Sequence, residues 1–188
     1  LKLKPDFVVG FSDIQSEIAA ALIKHGVEVW ISNHRSVVGI LDYVRRLGAL
    51  VGVAEKANLY ADDLERNLQQ IAQQASLLKH RPKVYFEEWD EPLISGIQWV
   101  CELIRIAGGD DILPERAEKS LAKDRIMANG EEVIARNPDI IFGSWCGKKF
   151  RPEKVMQREG WSAIDAVKNK QLFEIKSPII LQPGPAAL

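Results

Sequence analysis

Apolar positions fall in short runs and helical stripes that alternate along the chain. Phe7-Val8-Val9, bounded by Pro5-Asp6 and Gly10, has the form of a buried parallel strand. Ser12 and Gln15 then make a capping box, and Ile14, Ile18 and Leu22 share a helical face that ends at Gly26. Val27 to Ile31 predicts the next strand. Val37, Ile40, Leu41, Val44, Leu47 and Val51 predict a helix over 36–51. Strand, helix, strand, helix in about fifty residues is a βαβ unit and hence a parallel sheet.

The middle of the chain differs. Residues 55–78 contain neither Gly nor Pro, and Leu64, Leu68, Ile71, Ala75 and Leu78 recur at spacings of four and three among Asp, Glu, Gln and Asn. That pattern predicts one helix of about 25 residues, roughly 37 Å long, better suited to a rigid strut than to a coiled-coil seam. After Arg81-Pro82 the α/β pattern resumes. A strand is expected over 83–87, a helix over 95–107 ended by Gly108-Gly109, and an irregular stretch over 110–128. A short helix over 131–136, a strand over 140–142, a helical patch over 161–167 and a strand over 172–175 complete the pattern.

An internal repeat sets the architecture. Lys4-Pro5-Asp6-Phe7-Val8-Val9-Gly10-Phe11-Ser12 matches Asn137-Pro138-Asp139-Ile140-Ile141-Phe142-Gly143-Ser144-Trp145 in pattern. One copy precedes the long helix and one follows it. The fold class expected is α/β: two related lobes with parallel sheets, joined by one long backbone helix, with a ligand cleft between them. The N-terminal lobe takes 1–53, the linking helix 54–80 and the C-terminal lobe 81–188. Ligands of parallel sheets sit beyond the carboxyl ends of the strands. Those ends are Phe11-Ser12-Asp13 in one lobe and Ser144 to Lys149 in the other.

Composition narrows the function classes. In 188 residues, 25 basic residues balance 26 acidic ones, so charge gives no case for nucleic acid or an anionic membrane as partner. No apolar run is long enough for a membrane-spanning helix. Cys101 and Cys146 are too few for a disulfide framework. The chain opens on Leu1 without an initiator Met or leader and closes on Pro183-Gly184-Pro185-Ala186-Ala187-Leu188. It is expected to be a fragment truncated at both ends, so the missing leader says nothing about compartment.

Taken in order, Lys4 to Val9, Leu22 to Trp30, the long helix, Gly108-Gly109, and Glu132-Val133-Ile134 with Asn137 to Ile141 resemble the helical-backbone (class III) substrate-binding proteins of ABC importers. That family captures cobalamin, ferric siderophores and haem for uptake. The resemblance covers essentially the whole chain. It implies two lobes held stiffly on the long helix, little closure, and a missing first βα unit and last helices. It also implies an extracytoplasmic, monomeric, non-enzymatic protein. Its ligand would be cobalamin or a ferric chelate, it would hold no intrinsic cofactor, and its partner would be the permease of an ABC importer. An acidic residue on each lobe would dock that permease: Glu17 in the first, Glu153 or Glu159 in the second. A cytoplasmic metal-cofactor carrier or sensor on the same fold, and a two-lobed α/β enzyme, are the alternatives.

Candidate chemistry is sparse. No phosphate-binding loop, nucleophile elbow or zinc motif is present, and no catalytic residue or metal ligand is nominated. His25 and His80 adjoin predicted helix ends and read as cap residues; His34 follows a strand and could face the ligand. Trp89 and Trp145 lie beyond strands, where a flat chelate would find broad apolar contact. Each could equally pack its loop. Trp99 and Trp161 read as core. Lys148, Lys149 and Arg151 form a basic run that is either a solvated face or a partner for ligand oxygens. Arg125 is a further candidate on an irregular segment. Cys146 invites a nucleophile reading, but no base stands near it in sequence, and a small cleft residue is the preferred role.

Overall fold

A computed structural model describes residues 2–188 as two compact units, the first ending at Arg35 and the second running from Ser36 to Leu188. In the first, strand β1 (Phe7–Phe11) pairs in parallel with β2 (Glu28–Ser32), from Phe7 opposite Glu28 to Phe11 opposite Ser32. Helix α1 (Ser16–Lys24) connects them after one 3-10 turn at Asp13–Gln15. The expected capping box is displaced by one residue. Gln15 Oε1 accepts from the Phe11 amide at 2.8 Å, while the Ser12 amide donates to the Ser32 carbonyl at 2.9 Å. His25 caps the carboxyl end of α1, as its position implies.

The second unit opens with α2 (Val37–Leu50) and α3 (Ala54–Ala75), which pack along each other. Ser36 caps α2 through its Oγ, 3.0 Å from the Gly39 amide. A Cβ at Gly48 would collide with Ala57, so glycine and alanine set how closely the two helices approach. The buried face of α3 is Ala57, Ala61, Leu68 and Ala75. Ile71 and Leu78 of the expected stripe are exposed, and Leu77 and Leu78 lie past the helix end. At 22 residues, α3 is about 33 Å long. The unit boundary at 35/36 differs from the expected lobe boundary at 53/54 because α2 packs with α3.

The main sheet of this unit holds β3 (Lys83–Asp90), β4 (Leu93–Ser95), β5 (Asp110–Asp111), β6 (Ile140–Gly143) and β7 (Leu172–Glu174). Its order is β4-β3-β6-β7, with β5 also on β3; only the β3–β4 pair is antiparallel. One face carries Val84 and Phe86 against Trp99, Val100 and Ile104 of α4 (Gln98–Ile106). The other carries Tyr85 and Ile141 in a core with Trp145, Phe150 and Trp161. Trp99 and Trp161 are core residues, as expected.

Five short helices fill the connections: α5 (Pro114–Ala117), α6 (Glu131–Arg136), α7 (Pro152–Met156), α8 (Asp165–Lys168) and α9 (Ser177–Ile180). The 110–128 stretch expected to be irregular thus contains β5, α5 and a 3-10 turn at Ala122–Arg125. The sequence repeat is also a backbone repeat. Lys4 and Asn137, each just before its Pro-Asp pair, take left-handed φ values of 45° and 46°. Each copy then enters a parallel strand.

Candidate functional site

Strand β3 carries the chemistry of the second unit because it runs three residues past the expected end. Its last turn of sequence, Glu87-Glu88-Trp89-Asp90, holds two buried carboxylates, Glu87 at 0% and Asp90 at 4% exposure. Glu87 pairs with Ser95 and Trp89 with Ile94, so Glu88 is an extra residue in the β3–β4 ladder. Residues three apart in a regular strand point to opposite faces, and a bulge resets that alternation. Here Glu87 and Asp90 both meet groups clustered around Trp145.

Glu87 accepts from Trp145 Nε1 at 2.9 Å and from both Arg158 nitrogens, at 2.6 and 2.8 Å. Burial pulls the Arg158 pKa down, but the Glu87 carboxylate outweighs it and raises the value overall. The guanidinium also stacks 4.4 Å from the Trp161 ring centre. Trp145 is 2% exposed and packs edge-on against Phe150 at 5.0 Å. The ligand-contact expectation for Trp145 is therefore corrected: its indole packs the core and orders a buried carboxylate.

Lys148 is likewise engaged within the protein. Its ammonium ion-pairs with Asp90 and lies 4.2 Å from the Trp89 ring centre and 5.1 Å from that of Trp145. The Lys148 amide donates to the Trp145 carbonyl at 3.2 Å, with Gly147 between them at φ 77°. That turn folds Lys148 back over the rings. Trp89 is half-buried, its Nε1 bonded to the Glu91 carbonyl at 2.8 Å. Cys146 and Lys149 are exposed; Cys146 is a free thiol, and Cys101 is free and buried.

Arg125 is 1% exposed, and its guanidinium bonds Glu88 at 2.6 and 3.2 Å and the Ser95 carbonyl. It ties the 3-10 turn to the β3–β4 hairpin, which corrects its nomination as a ligand contact. Among the nominated residues of this unit, Trp89, Cys146 and Lys149 are those that keep accessible surface without such an internal bond network.

In the first unit, the end of β1 forms a second constellation. Ser12 is buried, at φ 77°, and its Oγ donates to Asp13 Oδ1 at 2.8 Å. Arg35 Nη2 donates to Ser12 Oγ at 2.8 Å and lies 3.3 Å from Asp13 Oδ1; its guanidinium stands 4.7 Å from the Phe11 ring centre. His34 meets Phe11 edge-on at 5.1 Å, and its Nδ1 is 2.7 Å from Ser32 Oγ. Phe11, Ser12 and Asp13 thus share one constellation with His34 and Arg35. Arg35 was not nominated, although its place just past a strand's carboxyl end is the same signal that singled out His34. The docking candidates Glu17, Glu153 and Glu159 are all exposed, Glu17 in the first turn of α1 and Glu153 in that of α7. His80 is exposed in the loop before β3, 3.8 Å from Asp139, and caps no helix.

The chain as a whole is similar to several known proteins. The crystal structure of S. aureus IsdE complexed with heme superposes with a TM-score of 0.80 at 23% identity, covering 99% of this chain and 74% of that one. The periplasmic vitamin B12 binding protein BtuF of Vibrio cholerae gives 0.69 at 21% identity, over 98% and 70%. An uncharacterized ABC transporter substrate-binding lipoprotein, YvrC of Bacillus subtilis strain 168, is 22% identical over 198 residues. That match takes in 98% of this chain, which spans 59% of the length of that relative. Those likenesses establish an α/β fold dominated by parallel strands. The model of the periplasmic binding protein family matches residues 1–179, through both copies of the Pro-Asp strand entry, and the chain belongs to that family.

Proposed function

We propose that the protein is the extracytoplasmic substrate-binding component of an ABC importer, and that its cargo is a metal chelate: a corrinoid such as cobalamin, or a ferric chelate such as haem or a siderophore. The family match over residues 1–179 carries this reading. Support for the cargo comes from relatives named for haem and for vitamin B12. It also comes from what stands at the carboxyl ends of the parallel strands. A half-buried indole at Trp89 and the cation of Lys149 serve one sheet; Phe11 and Arg35 serve the other. Broad aromatic contact with a few charged groups is what a macrocycle bearing peripheral acid or amide groups requires.

The reading assigns no catalytic step and no intrinsic cofactor; the metal enters as part of the cargo. The permease of the importer is the protein partner, and the protein acts as a monomer. Full-length protein purified from its native host, examined by absorbance and native mass spectrometry, tests the assignment. A Soret, corrin or ferric charge-transfer band with the matching added mass supports it. A co-purifying sugar or amino acid overturns it.

A further inference from the structure

Lys148 sits in a cage of unusual composition. Two indole rings, Trp89 at 4.2 Å and Trp145 at 5.1 Å, flank its ammonium. The Asp90 carboxylate closes the cage, its side chain 2% exposed and neither oxygen bonded to any other donor. A buried carboxylate binds the cation in direct contact with it strongly, because separating them would strand a charge away from water. Aromatic faces add a directional attraction. Of the two rings, Trp145 is already fixed by Glu87 and Phe150. Trp89 is only half-buried: it packs against the same core, bonds a neighbouring carbonyl through its Nε1, and has its face covered by the Lys148 ammonium. Lys149, next in sequence, is exposed and makes no hydrogen bond or ion pair among the described residues.

We propose that Lys148 is a positioning residue: its ammonium locks the Trp89 ring in the orientation that receives the ligand, and Lys149 is the loop cation that meets the ligand's oxygens. This assignment rests on the chelate-binding reading for its consequence, but the lock itself is a property of the ligand-free protein. Two adjacent lysines with the same charge thus have separate tasks, decided by the Gly147 turn that lays one over the two rings.

The test uses full-length protein and the variants Lys148→Arg, Lys149→Met, and Lys148→Met combined with Asp90→Asn. The combined variant removes both charges and so leaves no stranded carboxylate. Acrylamide quenching of the ligand-free proteins, each measured against its Trp89→Phe counterpart, isolates the Trp89 signal. The lock predicts that quenching of Trp89 rises about twofold in the combined variant and stays near wild type in Lys148→Arg. Titrations with haemin, haemin dimethyl ester and cyanocobalamin supply the second readout. The combined variant should weaken every probe that wild type binds by about tenfold, the ester as much as the acid. Lys149→Met should weaken haemin alone. Unchanged Trp89 quenching overturns the lock, and so does a combined variant that weakens haemin while sparing its ester. Failure of wild type to bind any probe would count against the chelate reading, with the quenching result still deciding the lock.

Discussion

Glu87 and Arg158, 71 residues apart, meet as a two-point ion pair, with both guanidinium nitrogens on a carboxylate that has no solvent exposure. Trp145 donates a third bond to the same carboxylate. Breaking one side of such a pair leaves a buried charge unpaired, which costs about 3–5 kcal/mol. Arg158→Met should therefore lower unfolding free energy by about that amount in urea titrations. Adding Glu87→Gln should recover most of it, since the amide oxygen still accepts from Trp145 and no charge is stranded. A loss below about 1 kcal/mol for Arg158→Met would place the pair in a solvated setting.

Trp89 and Trp145 should separate binding from stability. Trp89→Ala is expected to weaken ligand binding by about 1–3 kcal/mol, with a smaller loss of stability than a fully buried tryptophan gives. Trp145→Ala should instead destabilise the fold by about 3–5 kcal/mol, because it empties a core site. Calorimetric titration and thermal unfolding of both variants decide this. The reverse pattern would return Trp145 to the ligand.

Arg35 should confer preference for anionic cargo. Replacing it by Met keeps the apolar stem beside Phe11 and removes the charge. Haemin affinity should fall about tenfold, with its dimethyl ester much less affected. Equal loss for both would make Arg35 a support for Ser12 and Asp13 alone.

Acid stability offers a separate check. A hydrogen bond from Arg136, at 2.5 Å, holds the Glu115 carboxyl below its ordinary pKa. A carboxylate with a lowered folded pKa stabilises the fold fully above its unfolded value of about 4.3, and the benefit fades as pH falls through the folded value. The stability difference between wild type and Glu115→Gln should be present at pH 7, at most about 1 kcal/mol because the pair is exposed, and vanish only once pH has fallen below the lowered folded value. A difference that grows on acidification would contradict the assignment.

Docking to a permease predicts a split between binding and transport. Charge reversal at Glu17 together with Glu153 or Glu159 should leave ligand affinity intact, since all three are exposed. Uptake in cells should fall, because a like-charge contact at an interface costs several kcal/mol. Normal uptake by both double reversals would remove these residues from the docking surface.

The apolar pattern made the parallel strands and long helices legible, because burial on both faces leaves continuous runs such as Ile140-Ile141-Phe142. It failed where burial is charged. Strand β3 was expected to stop at Glu87, yet Glu87 and Asp90 are buried because Arg158 and Lys148, 71 and 58 residues downstream, neutralise them. No local signal carries that information. The same limit explains Arg125, which reads as a loose loop cation until Glu88 is seen beside it. Arg35 is illegible for another reason: Ser12 and Asp13 stand 23 and 22 residues before it, and only the β1–β2 pairing brings them to its guanidinium. The Pro-Asp repeat, by contrast, was fully readable, and the paired left-handed φ values at Lys4 and Asn137 show the backbone reason for it.

Cargo identity decides between a metal chelate and the smaller solutes for this member of the periplasmic binding protein family. Isothermal titration of the full-length protein against cyanocobalamin, haemin and a ferric siderophore, beside a sugar and an amino acid panel, tests it most directly. At least one chelate should bind with micromolar or tighter affinity and quench tryptophan fluorescence, and the sugars and amino acids should give no heat. Binding of a sugar or amino acid with no response to any chelate would contradict it.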